Sequence, residues 1–188
     1  ETQRINNTKL KYLPEIERSS KILSKKVETL LNQNYFPLIL GGDHATAIGS
    51  IAGISSYCRK KKKTLGVIWI DAHADMNTPD TTPSGNIHGM PLAAALGIGE
   101  SRLVRLGGFS PKVLPENSAL IGVRDVDQDE AETVKEFRNR GMQVYTISDV
   151  DKQGVTRIIA RVLNDFKKEV DHIHISFDLD GVDPDYAS

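Results

Sequence analysis

Apolar and polar residues follow two different patterns along this chain, one typical of helices and one typical of strands. Over roughly residues 14–33, apolar side chains recur about three, four or seven positions apart, which predicts an amphipathic helix. The apolar stripe of this helix consists of Ile16, Leu23, Val27, Leu30 and Leu31. We expect further helices over roughly residues 45–57, 91–96 and 129–140, and a last one whose apolar face runs from Val155 to Phe166.

Short continuous apolar runs separate these helical segments and predict the strands of a sheet. The runs cover residues 36–40, 67–70, 118–123, 144–147 and 172–177. Strands that are buried on both faces show such runs, and strands that alternate with helices form a parallel sheet covered by helices. No internal repeat, low-complexity stretch or linker interrupts the alternation. The pattern therefore predicts a single domain of the α/β class over residues 1–188.

Residue types that bind metals occur directly after the ends of the predicted strands. Asp71, His73 and Asp75 follow the run that ends at Ile70, and their two-residue spacing points all three side chains to one side of an extended backbone. Other strand ends are followed by His44, Asp127, Asp178 and Asp180. Ligands bind at the carboxyl edge of open parallel sheets. We therefore predict that these side chains meet in one site at the C-terminal edge of the strands.

The set of donor atoms at this edge favours a pair of hard divalent cations. The imidazoles and carboxylates come from His44, Asp71, His73, Asp75, Asp178 and Asp180. These carboxylates carry more negative charge than a buried site holds without compensation. Oxygen-rich ligation without thiolate suits manganese better than zinc, although cobalt, nickel or iron also accept such ligands. A paired metal site would lower the pKa of a bridging water and supply a hydroxide nucleophile near neutral pH.

Each of these motifs also has a purely structural interpretation. Asp-x-Asp after a strand, as at Asp178 and Asp180, is common in turns whose side chains bond their own backbone. The segment from Gly41 to His44 alone fits a strand-to-helix turn that uses glycine for backbone freedom. The occurrence of such motifs at successive strand ends favours one metal site over several unrelated turns.

Composition and charge exclude several classes of function. With 39% apolar residues, 26% charged residues and a net charge of −1, the chain is typical of a globular protein without a basic surface for nucleic acid or anionic lipid. The basic run from Arg59 to Lys63 lacks interleaved aromatic residues, so we interpret it as a solvated loop. Cys58 is the single cysteine, which excludes an internal disulfide and fits a reducing compartment. Since no apolar run reaches about 18 residues and no secretory signal is recognisable, we expect a cytoplasmic protein without a membrane or nucleic-acid partner.

Four sequence motifs resemble the recurring motifs of the arginase (ureohydrolase) family. They are GGDHATAIGS, DAHADMN, SGNIHG and SFDLDGVDPD, in this order and over nearly the whole chain. The segment SGNIHGMPLAAALGIG is similar to bacterial members in particular. The resemblance implies a three-layer α/β/α fold with a mainly parallel sheet and two manganese ions (Mn2+) per chain. It also implies hydrolysis of L-arginine to L-ornithine and urea, by attack of a metal-bridging hydroxide on the guanidinium carbon.

The resemblance also implies a role for each candidate metal ligand. The ligands of one manganese would be His44 and Asp75, those of the other His73 and Asp180, and the bridging ligands Asp71 and Asp178. Asp75 would in addition be a catalytic residue, because it would accept a hydrogen bond from the bridging hydroxide and orient it.

Residues of the loop after these ligands match the family's positions for catalysis and substrate binding. His88 matches the histidine that helps to protonate the departing ornithine amine. Asn77 and Ser84 match residues that hold the α-carboxylate of the substrate, and Asp127 matches the carboxylate that engages its α-amino group. Further contacts, often through water, are implied for Thr82, Asn86 and Glu130.

The ends of the chain depart from the family pattern. Family members usually begin with a strand and a glycine-rich loop before the helix at Ile16, and they continue well beyond Pro184. We therefore expect this chain to be a fragment that lacks N- and C-terminal segments, including a downstream glutamate that receives the guanidinium. The resemblance further implies assembly into a homo-oligomer, either a trimer or a hexamer.

Two alternatives to an arginine hydrolase remain open from the sequence. Another ureohydrolase, such as an agmatinase or a guanidinobutyrase, would share the six metal ligands but would accept a substrate without an α-carboxylate. Asn77, Ser84 and Asp127 favour arginine, because they offer partners for a carboxylate and an ammonium. The second alternative is a catalytically impaired fragment that only binds metal.

Overall fold

The computed structural model of the protein describes residues 8–182. The helices are α1 (Leu13–Asn32), α2 (Thr46–Lys60), α3 (Pro91–Leu96), α4 (Ser101–Val104), α5 (Gln128–Asn139), α6 (Ile147–Gln153) and α7 (Val155–Phe166). The strands are β1 (Leu65–Ile70), β2 (Ser118–Val123), β3 (Gln143–Thr146) and β4 (His172–Phe177). Short 3₁₀ helices cover Ile87–Gly89, Leu106–Gly108, Pro115–Asn117 and Leu179–Gly181.

The described chain forms two compact units. The first contains residues up to Tyr57 together with Asp75–Lys112. The second contains Cys58–Ala74 together with the residues from Val113 onwards. The whole sheet lies in the second unit, whereas α1, α3 and α4 lie in the first.

The sheet of the second unit consists of parallel strands in the order β3-β2-β1-β4. In its interior, Ile70 of β1 lies opposite Ile121 of β2 and opposite Phe177 of β4. β1 and β2 are almost entirely buried, which explains their continuous apolar sequences. Because β1 and β4 run in the same direction, Asp71 and Asp178 leave the sheet at the same edge.

One face of this sheet packs against α7. Ile68 and Ile121 contribute the sheet side of the core, and Ile158, Val162 and Phe166 contribute the helix side. These helix residues follow one another at intervals of about one turn, so α7 has a single apolar stripe. Full burial of each such side chain stabilises the fold by about 1.5–3 kcal/mol. This packing fixes the sheet whose edge carries Asp71 and Asp178.

In the first unit, α1 and α2 approach each other closely because small residues lie at their contact. A Cβ atom at Gly53 would lie 2.5 Å from the carbonyl oxygen of Ser24, and one at Gly49 would lie 3.0 Å from that of Ser20. Both serines are buried. This close packing positions the first turn of α2, which follows His44.

The predicted α/β class with a parallel sheet is confirmed. The helix expected over roughly residues 14–33 is α1, and the expected end of the helix before Gly141 is confirmed by the left-handed backbone of that glycine, with φ of 106°. The short helix at Pro91–Leu96 and the strands at 118–123 and 172–177 have the predicted bounds. Among residues 8–182, no helix is both long and apolar enough to cross a membrane.

The strand predicted at residues 36–40 is wrong. This segment has no regular secondary structure, and Phe36, Leu38 and Leu40 are between 78% and 91% exposed. Within the described part of the chain, the segment pairs with none of the strands of the sheet. An apolar run becomes a strand only when another backbone satisfies its hydrogen bonds, and sequence alone does not reveal that partner.

The strand predicted at residues 144–147 ends earlier because a helix begins there. The Thr146 side chain accepts a hydrogen bond from the Asp149 N–H at 3.3 Å, and the Asp149 carboxylate accepts one from the Thr146 N–H at 2.8 Å. This capping box starts α6, a helix that the apolar pattern does not predict. The Thr146 hydroxyl also donates to the Asp149 carboxylate at 2.7 Å, and this bond together with that from the Thr146 N–H lowers the pKa of the Asp149 carboxyl below its usual range.

Candidate metal and substrate site

The carboxylate of Asp71 is held rigidly at the end of β1. Asp71 is 1% exposed. Its Oδ2 accepts a hydrogen bond of 3.0 Å from the indole Nε1 of Trp69, and its Oδ1 accepts one of 2.8 Å from the backbone N–H of His73. Trp69 and Asp71 are two residues apart at the end of the strand, which places their side chains on one side and makes the indole contact possible.

Asp71, His73 and Asp180 form a group of potential metal ligands in the second unit. One ligand atom from each residue lies within 4.8 Å of those of the other two. His73 Nδ1 lies 3.0 Å from Oδ2 of Asp180 and 3.5 Å from Oδ1 of Asp71. Burial raises the pKa of the Asp180 carboxyl, and the carboxylates of Asp71 and Asp178 raise it further, although a hydrogen bond from Ala72 opposes them. Negative charge is therefore concentrated at this sheet edge.

The turn after β4 carries Asp178 and Asp180 and is organised by its own hydrogen bonds. Asp178 Oδ1 accepts a hydrogen bond of 3.1 Å from the Asp180 N–H, which caps the 3₁₀ helix that follows. The guanidinium of Arg124 donates to the backbone carbonyls of Asp180, of Gly181 at 3.4 Å and of Val182 at 3.3 Å. The side chain of Arg124 thereby fixes the backbone on which Asp180 stands.

His44 and Asp75 form a second pair of potential ligands, in the first unit. His44 Nδ1 lies 3.1 Å from Oδ2 of Asp75, and their side chains are only 11% and 7% exposed. Asp75 has a left-handed backbone with φ of 51°, a conformation that Asp tolerates better than most residues. The carbonyl of Asp75 accepts hydrogen bonds of 3.1 Å from the N–H groups of Leu92 and Ala93 at the start of α3. These contacts hold the Asp75 backbone in its unusual conformation.

The loop that follows Asp75 begins with Asn77, which is 8% exposed. Its backbone N–H donates to the carbonyl of Gly89 at 3.0 Å, and its side-chain Oδ1 accepts a hydrogen bond of 2.8 Å from Oγ1 of Thr81. The same Thr81 oxygen accepts a hydrogen bond of 2.8 Å from the Thr78 N–H. The position of Asn77 and the rotation of its carboxamide are thus both fixed.

The rest of the loop is shaped by hydroxyl groups and by one glycine. Thr82 Oγ1 accepts from the Gly85 N–H at 2.9 Å, and Ser84 Oγ accepts from the Asn86 N–H at 3.1 Å. Gly85 has φ of 74°, and a Cβ atom there would lie 1.8 Å from the carbonyl oxygen of Thr8. Only glycine fits this position.

His88, Asp127 and Glu130 lie in different local environments. His88 is exposed and lies in the 3₁₀ helix Ile87–Gly89 of the first unit. In the second unit, Asp127 is the N-cap of α5, and its Oδ1 accepts a hydrogen bond of 2.9 Å from the Glu130 N–H. Glu130 itself is 4% exposed. Capping is thus a structural role for Asp127 beside the substrate contact expected from the sequence.

The chemistry of these groups fits a divalent cation. A buried carboxylate is costly unless a cation or several donors compensate it. Asp71, His73 and Asp180 direct their carboxylate and imidazole ligand atoms toward one another, although the two carboxylates repel each other. Carboxylates combined with imidazole and without thiolate are the donors that manganese and similar hard or borderline cations accept. The binding of divalent cations that the sequence predicts is therefore consistent with the geometry of the ligand groups within each unit.

Comparison with known proteins identifies the family. The sequence pattern of the Arginase family matches residues 3–188. The chain belongs to this family. It is 48% identical over 174 residues to an arginase of Brevibacillus brevis, which covers 93% of the chain, and 47% identical over 182 residues to an arginase of Bacillus subtilis (strain 168), which covers 97%. The native structure of arginase from Bacillus caldovelox matches 98% of the chain with a TM-score of 0.89 and 43% identity.

The match covers only part of these related arginases. This arginase-family chain spans 56% of the length of the Brevibacillus brevis protein and 59% of that of the Bacillus subtilis protein. It spans 60% of the Bacillus caldovelox chain. The α/β fold predicted from the sequence is thus shared with solved arginase structures over the aligned part.

Three residues of this arginase-family chain contact the candidate site residues but escape the sequence analysis. Trp69 binds the carboxylate of Asp71, Thr81 binds the amide of Asn77, and Arg124 binds the backbone of Asp180. The position of Trp69 two residues before Asp71 is a signal that sequence reasoning can use. Thr81 and Arg124 give no such signal, because their contacts depend on the folding of a loop and on the pairing of distant segments.

Proposed function

We propose that this protein hydrolyses L-arginine to L-ornithine and urea with the help of two manganese ions. The observation that carries the proposal is the convergence of Asp71, His73 and Asp180 at the sheet edge of a chain that belongs to the arginase family. The names of the related proteins support the choice of arginine as the substrate. When bound, the pair of metal ions would supply the activation of water near neutral pH.

The six residues singled out by the sequence would divide between the two ions. We assign His44 and Asp75 to one ion and His73 and Asp180 to the other, with Asp71 and Asp178 shared. The pairing of His44 with Asp75 at 3.1 Å, and that of His73 with Asp180 at 3.0 Å, support this division. The hydrogen bonds from Trp69 and from the N–H of His73 support the shared role of Asp71, because they orient both of its carboxylate oxygens.

Asp75 and His88 would be the catalytic residues of the reaction. Asp75 would accept a hydrogen bond from the attacking water and orient it toward the guanidinium carbon, and its fixed backbone supports this role. His88 would bring a proton to the nitrogen that leaves with ornithine. Its exposure supports this role, because a proton shuttle needs access to solvent.

The loop from Asn77 to Asn86 would bind the amino-acid end of arginine. Asn77 and Ser84 would hold the α-carboxylate, while Asp127 would engage the α-ammonium. Thr82, Asn86 and Glu130 would add further contacts, often through water. The hydrogen bonds within this loop support the proposal, because a preorganised loop loses little entropy when it binds a ligand.

A comparison of L-arginine with agmatine tests the proposed substrate. Agmatine has the same guanidinium but lacks the α-carboxylate, so the polar groups of the loop would remain unpaired. Because each lost hydrogen bond to a charged group costs about 1.5–3 kcal/mol, we expect kcat/KM to favour arginine by about 10³-fold or more. The measurement is urea release by the manganese-loaded protein from both compounds.

A ureohydrolase that acts on agmatine or on a guanidino acid is the second candidate function. Such an enzyme would share the metal ligands with an arginase. Comparable kcat/KM values for arginine and agmatine would therefore contradict arginine as the specific substrate, but they would not contradict the proposed metal chemistry. Substitution of Asn77 and Ser84 by alanine should then leave the ratio unchanged, whereas an arginine-specific site should lose kcat/KM mainly on arginine.

A further inference from the structure

Thr81 lies between two partners in the loop that would bind the substrate carboxylate. Its Oγ1 lies 2.8 Å from the Thr78 N–H nitrogen and 2.8 Å from Oδ1 of Asn77. Neither the sequence motifs nor the proposed function assigns a role to this residue. The two contacts together determine where its hydroxyl proton points.

The direction of this proton follows from the chemistry of the partners. A backbone N–H only donates, so Thr81 Oγ1 accepts the hydrogen bond from Thr78 with one of its lone pairs. The hydroxyl proton is then available for an acceptor. Asn77 Oδ1 at 2.8 Å is much nearer than the carbonyl oxygen of Thr78 at 3.5 Å or its Oγ1 at 3.4 Å. The hydroxyl therefore donates to Asn77.

This hydrogen bond selects one of the two orientations of the Asn77 carboxamide. If the amide were rotated by a half-turn, its NH₂ group would face Thr81 and the hydroxyl proton would have to turn to the oxygens of Thr78. These lie at 3.4 and 3.5 Å, so a short hydrogen bond of 2.8 Å would be replaced by a long one. With Oδ1 directed to Thr81, the NH₂ group points away from Thr81 and offers only donors on that side. A group that only donates hydrogen bonds can bind a carboxylate, whereas it cannot accept a hydrogen bond from an ammonium.

We propose that Thr81 is a positioning residue that makes Asn77 selective for the substrate carboxylate. The inference rests on the proposed binding of an α-carboxylate by Asn77, and it goes further by naming the residue that sets the polarity of this contact. Thr81 acts through Asn77 and does not itself contact the substrate.

Besides the contact between the Thr81 hydroxyl and the Thr78 N–H, two backbone hydrogen bonds hold the loop without this hydroxyl. The Thr82 N–H donates to the Thr78 carbonyl at 2.9 Å, and the Asn77 N–H donates to the Gly89 carbonyl at 3.0 Å. Removal of the hydroxyl should therefore release the amide of Asn77 while these backbone contacts remain. This separation makes the inference testable by substitution.

The test is a binding measurement by calorimetry on the manganese-loaded protein with two probes, L-ornithine and putrescine. Putrescine has the amines of ornithine but no carboxylate. For Thr81→Val, which keeps the shape of the side chain, we expect L-ornithine to bind about 3- to 10-fold more weakly, as for one lost hydrogen bond, and putrescine to bind as before. Thr81→Ser should restore the affinity. If a thermal unfolding experiment shows that the Thr81→Val variant is not folded, Thr81→Ala is used in its place.

A double-substitution experiment separates positioning from a general effect on the loop. If Thr81 acts only through Asn77, Thr81→Val should have no further effect on L-ornithine binding in an Asn77→Ala background. Thr29→Val is the matched control, because the Thr29 hydroxyl donates to the Lys25 carbonyl at 2.8 Å on the exposed side of α1. This control should bind both probes as the unmodified protein does.

Three results would overturn the role of Thr81. They are unchanged L-ornithine binding in Thr81→Val, an equal loss for L-ornithine and putrescine, and a full additional loss in the Asn77→Ala background. The proposed function fails in a different way, since an unmodified protein that does not hydrolyse arginine would reject the arginase activity itself. The two failures are thus distinguishable.

Discussion

The indole Nε1 of Trp69 donates a hydrogen bond of 3.0 Å to Oδ2 of Asp71, at the point where β1 leaves the sheet. Both residues are buried, with exposures of 0% and 1%. Trp69 is thus part of the packed sheet and also orients a proposed bridging ligand. A donor that is fixed in the core holds the carboxylate in one direction before any metal binds.

Trp69→Phe should weaken manganese binding and destabilise the fold. The substitution removes the donor and leaves Asp71 Oδ2 without its indole partner, which costs about 1–3 kcal/mol. We expect a larger dissociation constant for Mn2+ in a titration, together with a lower melting temperature. Phe137→Leu is the control, because Phe137 is equally buried but lies in α5. It should lower the melting temperature only, and equal manganese affinity in both variants would contradict the role of Trp69.

His88→Asn should reduce turnover and leave the metal content unchanged. General acid–base catalysis contributes about 10²- to 10⁴-fold to a rate, so we expect a decrease in kcat of this size on arginine. Asn keeps a polar side chain of similar size but cannot carry the proton. Turnover and metal analysis on the same preparation check the expectation. Loss of manganese in His88→Asn would show that His88 is a ligand and not a proton shuttle.

Gly85→Ala should disrupt the loop from Asn77 to Asn86. The positive φ of 74° and the distance of 1.8 Å from a new Cβ to the Thr8 carbonyl oxygen both require a backbone shift. Such strain costs about 1–3 kcal/mol. Gly89→Ala is the matched control, because a Cβ atom there meets nothing within 4 Å. We expect a lower melting temperature and weaker L-ornithine binding for Gly85→Ala, and equal melting temperatures of the two variants would be the contrary result.

The strand ends and the clustered acids are predictable from the sequence because their signal is local. Asp71 follows a continuous apolar run, and its spacing from His73 follows from the geometry of an extended chain. The state of the segment at Phe36 is not predictable in this way, because its hydrogen-bond partner is remote from it in the sequence. For the same reason the contact between Arg124 and the carbonyl of Asp180 appears only in the structure.

The Cys58 thiol should be slow to react at neutral and mildly alkaline pH. Burial raises the pKa of this thiol from 9.0 to about 11, with a smaller opposing effect of Lys63. The thiolate fraction at pH 8 is thereby reduced by about 100-fold, and the thiolate is the reactive form. A thiol-specific chromogenic reagent should therefore label Cys58 at least about 100-fold faster in urea than in buffer. Rapid labelling of the folded protein would contradict this expectation.

The same shift predicts a decrease in stability at alkaline pH. The unfolded chain loses the thiol proton near its ordinary pKa of 9.0, whereas the folded chain retains it up to about pH 11. The folded state therefore binds more protons in this window, and the free energy of unfolding decreases as the pH increases from about 9 to 11. Cys58→Ser should reduce this part of the pH dependence in urea unfolding experiments.

Metal stoichiometry tests the central claim, a site for two manganese ions, most directly. Mass spectrometric metal analysis of protein purified with Mn2+ should give two manganese per chain, as in binuclear hydrolytic sites. The double substitution of Asp71→Ala and Asp178→Ala removes both proposed bridging ligands and should abolish this stoichiometry. The control is the pair Asp129→Ala and Asp151→Ala, which removes two exposed carboxylates in α5 and α6 and should retain two manganese. Two manganese per chain in the Asp71 and Asp178 double variant, or one in the unmodified protein, would contradict the proposed metal centre.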